Sequence, residues 1–130
     1  MDETIKIFET YGVINLASRR RIEELLSKLK LPNSNNITVD VSGCMTDYSC
    51  TSLLFDVVLE HLEKFQGEKK LRIITDGLPI EYFYHDLFLG SKYFNLGDSF
   101  KLTTKEYEFL LKELKDKKNI EIEIVHSTSA

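Results

Sequence analysis

The sequence is short of the features that would make its function obvious. Basic residues are not in surplus: Lys+Arg 17 against Asp+Glu 21 leaves a formal charge of -4 and a pI near 5.4. A mildly acidic surface argues against nucleic acid as a partner, because neutralising phosphates requires a basic field. No apolar run approaches the roughly 20 residues needed to span a bilayer, so no membrane association is expected. The start Met1-Asp2-Glu3 has the wrong charge for a signal peptide, which points to a cytoplasmic protein. There are only two cysteines, Cys44 and Cys50, and in that compartment they read as reduced thiols. Glycine-rich phosphate cradles, Cys-x-x-Cys pairs and His-Glu-x-x-His helices are all missing. The three histidines, His61, His85 and His126, lie far in sequence from the cysteines, and nothing in the spacing suggests a metal site. These absences lead to an expectation of no catalytic residues, no metal and no cofactor.

What is present describes one globular domain. The hydrophobic share is 42% and the charged share 29%, ordinary for a packed domain. No repeat or linker divides the chain, so residues 1–126 read as one domain and 127–130 as a disordered tail. Both prolines, Pro32 and Pro79, fall between periodic segments. Residues 4–8 alternate weakly and read as a strand, with 11–14 as its hairpin partner. Ile22, Leu25, Leu26 and Leu29 fall at i, i+3, i+4 and i+7, which predicts a helix over 19–29 capped by Asn15 or Ser18. The β-branched run at 37–41 predicts a central strand. Leu54, Val57, Val58, Leu62 and Phe65 predict a second helix over 51–65, with Gly67 as its stop. Residues 71–75 read as a third core strand, and a third helix is expected from Pro79 to Gly90. Residues 100–102 suggest a short strand. Thr103-Thr104-Lys105-Glu106 fits a capping box for a helix carrying Tyr107, Leu110, Leu111 and Leu114. Residues 120–125 alternate cleanly, as an edge strand with one wet face does. The fold class that follows is α/β, a small mixed sheet with about four helices packed against it.

The most informative stretch is 37–54: a hydrophobic strand ending in Asp40-Val41-Ser42, a short loop, then Asp47-Tyr48-Ser49-Cys50-Thr51-Ser52 opening a helix. Helix capping is the simplest account of that polar run. The same physics makes it a place where an anion is favoured, because unpaired N–H groups and the positive end of the helix dipole converge there. A hydroxyl held at that point can carry a phosphate of about -2 charge and so change any surface pressed against it.

Ile37-Thr38-Val39-Asp40-Val41-Ser42-Gly43 with the Ser/Thr-rich helix start resembles the STAS domain of bacterial anti-sigma-factor antagonists. It is closer still to the related STAS-like domains of unknown function. Leu16-Ala17-Ser18-Arg19-Arg20 is similar to the Ser-Arg helix start of that group, and the resemblance covers roughly residues 13–62. It implies a STAS-like sheet with helices packed against it and a protein-binding, non-enzymatic role. The implied partner is an ATPase or kinase of the histidine-kinase type, encoded nearby. In the antagonists such a kinase phosphorylates a serine at the start of the second helix. Counted from Asp40, that position falls on Cys50, with Ser49 and Thr51 on either side, and the glycine that usually follows is replaced by Thr51-Ser52. Ser49 and Thr51 are therefore the phosphorylation candidates. The partner-binding rim comprises Asp47, Tyr48, Ser49, Cys50, Thr51, Leu53 and Leu54.

Other features have plainer accounts. A thiol at a helix N-terminus, as at Cys50, can become reactive and would suit a thiol-dependent enzyme. The neighbouring Asp47 opposes thiolate formation, and free cysteine is commonly a small buried hydrophobe. Arg19-Arg20-Arg21 fan around a helix and read as a solvated face, or as a contact for an acidic partner. Tyr82, Phe83, Tyr84, Phe88, Tyr93 and Phe94 read mostly as core, although three consecutive aromatics cannot all point inward on one helix. Residues 102–111 are similar to part of a winged-helix regulator's effector domain, but no basic recognition helix follows them. Composition leaves the oligomeric state open.

Overall fold

A computed structural model describes residues 3–6, 15–16, 19–42, 45–46, 48–75, 93 and 103–126. The strands are β1 (Glu3–Lys6), β2 (Asn15–Leu16), β3 (Asn36–Asp40), β4 (Met45–Thr46), β5 (Lys69–Thr75) and β6 (Ile120–His126). The helices are α1 (Arg19–Lys28), α2 (Tyr48–Glu63) and α3 (Thr104–Lys118).

Four strands form one sheet in the order β1-β3-β5-β6, and β2 pairs separately with β4. Every one of these pairings is parallel. The expected mixed sheet is therefore corrected among the described residues: β1 runs parallel to β3, with Ile5 opposite Val39. The reason lies in the connections. A tight turn joins antiparallel neighbours, whereas each step from β1 to β3, β5 and β6 passes through a crossover containing a helix. Residues 11–14, expected as a hairpin partner, lie outside the described residues. Asn15 belongs to β2 and so does not cap α1; Ser18 lies outside the described residues.

Strands added successively in one direction by right-handed crossovers place their helices on one side of the sheet. The core has that form. Ile22 and Leu25 of α1, Leu54, Phe55, Val58, Leu59 and Leu62 of α2, and Tyr107 and Leu114 of α3 join a single buried cluster. The sheet contributes Ile37, Val39, Leu71, Ile73, Ile120 and Ile122, always from alternate positions. Each fully buried aliphatic side chain there stabilises by about 1.5–3 kcal/mol.

The α2 helix begins at Tyr48, three residues before the predicted start, and its last turn tightens through Phe65 N–H to the Leu62 carbonyl at 3.1 Å. Gly67 follows at φ 83, a left-handed conformation that disfavours any side chain. The amino end of the sheet is tied down by two asparagines. Asn35 donates from Nδ2 to the carbonyls of Gln66 (2.8 Å) and Glu68 (3.1 Å), and its own carbonyl accepts from Lys70 N–H at 2.8 Å. Asn119 ends α3 at φ 57 and accepts from Lys69 N–H at 2.8 Å.

The capping box forms as its sequence requires: Glu106 N–H donates to Thr103 Oγ1 at 3.2 Å, and Thr103 N–H donates to Glu106 Oε1 at 3.0 Å. Among the described strands β6 lies at an edge, in agreement with its alternation, Ile120 and Ile122 being buried and Glu121 exposed. Three helices are described; the one expected from Pro79, the strand at 100–102 and the tail at 127–130 lie outside the described residues. No described helix is long and apolar enough to cross a membrane.

Two substitutions test this account. Thr103→Ala removes the cap and is expected to lower stability by about 1 kcal/mol in urea unfolding. Phe55→Ala empties the centre of the core and is expected to cost about 3–5 kcal/mol in the same measurement.

Candidate docking site at the start of the second helix

The site begins at the end of β3. Asp40 Oδ1 accepts from Ser42 N–H at 2.9 Å and from the Ser42 hydroxyl, folding the chain into a local turn as it leaves the strand. Val41 N–H donates to the Ile74 carbonyl at 2.9 Å, extending the ladder one residue beyond β3. The chain then enters β4, pairs with β2 and opens α2.

This small pairing decides the geometry of the site. Asn15 lies opposite Met45 and Leu16 opposite Thr46. α1 begins three residues after Leu16, and α2 begins two residues after Thr46. The starts of α1 and α2 thus each follow closely on one strand of the same parallel pair. Sequence spacing alone could not reveal this, because the two helix starts are separated by nearly thirty residues. Arg20 extends into solvent, with a side chain 89% exposed and Nε 3.7 Å from Glu24, which agrees with a solvated face.

The rim residues separate into distinct groups. Tyr48, Ser49, Cys50 and Thr51 form the first turn of α2. Asp47, like Cys44, lies outside the described residues. Leu53 is half-buried against the core. Leu54 is 0% exposed, so its place in a docking rim is corrected: the helical period turns it inward with Phe55 and Val58. Ser52 and Asp56 are buried polar residues one turn apart on α2, and both are engaged in interactions. Asp56 interrupts an otherwise apolar stripe, which is the signal that could have marked it.

A second polar cluster escaped sequence reasoning because it joins three distant segments. Glu63, at the end of α2, accepts from the Tyr93 hydroxyl at 2.9 Å and pairs with Lys118 at 3.0 Å. Burial pushes the Tyr93 hydroxyl's pKa well up, and the hydrogen bond to Glu63 and the charges of Glu63 and Asp56 add to it. Burial also raises the Glu63 carboxyl, but the hydrogen bonds from Lys118 and Tyr93 and the charges of Lys118 and Lys69 outweigh it and leave a net lowering. Nearby, Lys69 donates to the Phe65 carbonyl at 3.2 Å, satisfying an end group of the helix. His61 donates from Nε2 to the Pro32 carbonyl at 2.8 Å and meets Phe65 edge-on at 5.2 Å, a structural bond between α2 and the segment after α1. His85 lies outside the described residues, and no group of metal-ligating side chains occurs among the described residues.

Comparison with known proteins finds no match: no family model, no curated protein and no solved structure is significantly similar to this chain.

The Glu63 cluster yields a pH prediction. A carboxyl whose pKa is lower in the folded chain contributes stability above the unfolded value and loses it as pH falls through the folded one. Urea unfolding across an acid series is expected to show that loss. In Glu63→Gln the decline is shallower, and stability at neutral pH is lower by about 1 kcal/mol.

Proposed function

We propose that this chain is a non-enzymatic regulatory domain of STAS-like type, which binds a protein partner through the start of α2 as anti-sigma-factor antagonists do. The partner on this reading is an ATPase of the histidine-kinase type encoded near it, and the setting is the bacterial cytoplasm. The reading rests first on the resemblance carried by residues 37–43 and by the two helix starts. The observation that most supports it is the β2–β4 pairing, which joins the short strands that precede those two helix starts. A parallel α/β sheet with helices against one face is compatible with it.

The chemistry of such a rim follows from its parts. A helix N-terminus favours an acidic side chain from a partner. A phosphate on Ser49 or Thr51 would occupy the same field and compete with that contact. Cys50 stands where the antagonists carry their acceptor serine, so a switch in this chain would use one of its two neighbours.

Calorimetric titration against the purified ATPase encoded beside the gene tests the reading. Ser49→Glu and Thr51→Glu are each expected to weaken binding by at least about tenfold, with thermal unfolding unchanged. Wild-type affinity in both variants would remove the start of α2 from the interface.

A further inference from the structure

Purely parallel sheets are ordinarily covered on both faces. Here the apolar residues of all three described helices pack on one face, through the alternate strand positions that include Leu71, Ile73 and Ile122. The intervening positions of β5 and β6 point the other way. They form three rows fixed by the ladder: Lys70 opposite Glu121, Arg72 opposite Glu123, and Ile74 opposite Val125. All six are at least partly exposed.

We infer that this face, on which none of the described helices packs, binds a second copy of the chain, because its charge pattern is complementary to itself. β5 carries a cationic stripe and β6 an acidic one, side by side. A two-fold axis running along the strands between β5 and β6 lays β5 of one protomer over β6 of its partner. Each protomer then sets its cationic stripe against its partner's acidic stripe, row by row, and the half-exposed Ile74 and Val125 meet at one end. An isologous interface requires such self-complementarity. Arg72 and Glu123 occupy the middle row, which stays in register when facing sheets pack at an angle. Within one protomer Glu123 already holds Lys70 at 2.8 Å and Arg72 at 3.4 Å, so these side chains are ordered before association. Two strands offer a small contact, which places the dimer in the weak, reversible class.

Sedimentation velocity on the full chain, over a range of protein concentrations at low and high salt, reads the association directly. A reversible dimer that weakens with salt is expected. Arg72→Glu and Glu123→Arg should each weaken self-association at least about tenfold, because like charges then face across the axis. An equimolar mixture of the two variants should recover the dimer, since each supplies the charge the other has lost. The double variant R72E/E123R keeps an ion pair within its own chain and covers the case in which a single variant misfolds. It should pair with itself and not with wild type. A wild-type chain that stays monomeric throughout, a dimer indifferent to these substitutions, or a double variant that pairs freely with wild type would each overturn the assignment.

Discussion

The alternation of side chains along β5 is the constraint on which the rest of the structure depends. Leu71, Ile73 and Thr75 are buried, whereas Lys70 and Ile74 are only partly so and Arg72 is exposed. β5 lies between β3 and β6, and its register with both is continuous. A slip of one residue would turn the charged positions into the core, at a cost far beyond what any surface ion pair returns. The side on which the three described helices pack follows from that alternation, because each must find the apolar side of the same sheet.

The ends of the sheet are built differently from its middle. At the amino end, Asn35 closes the turn that feeds β5 and Asn119 the one that feeds β6, and a left-handed backbone at Gly67 and Asn119 lets the chain reverse tightly. At the carboxyl end of β3, Asp40 and Ser42 shape the exit, and the β2–β4 pair joins the short strands that precede α1 and α2. In open α/β sheets the carboxyl ends of the strands are where binding usually occurs. The start of α2 follows that end, and Leu54 and Phe55, one turn further along the helix, belong to the buried core.

The Glu63, Tyr93 and Lys118 cluster and the His61 bond to Pro32 serve a separate purpose. Both fasten the far end of α2, the first to α3 and Tyr93, the second to the segment following α1. With its far end tied in this way, α2 is a rigid support for whatever its first turn presents. The histidine is thereby accounted for as a structural group.

Local chemistry in the sequence determined much of this. The 3.6-residue spacing of Ile22, Leu25, Leu54, Val58 and Leu62 determined two helices, the β-branched runs determined three core strands, and Thr103 with Glu106 determined where α3 begins. These are short-range effects, legible because every participant lies within a few residues. Strand direction was not legible, since alternation within a strand is the same whether its neighbour runs parallel or antiparallel. The candidate site was legible only in part: Ser49, Cys50 and Thr51 stood out by composition, but the pairing of Leu16 with Thr46, which joins the strand before them to the strand before α1, did not. Leu54 was assigned to both the core and the rim, and only packing could show that it belongs to the core alone. Tertiary structure decided what distant residues do together, because the contacts that fix direction, adjacency and burial join segments that the sequence holds far apart.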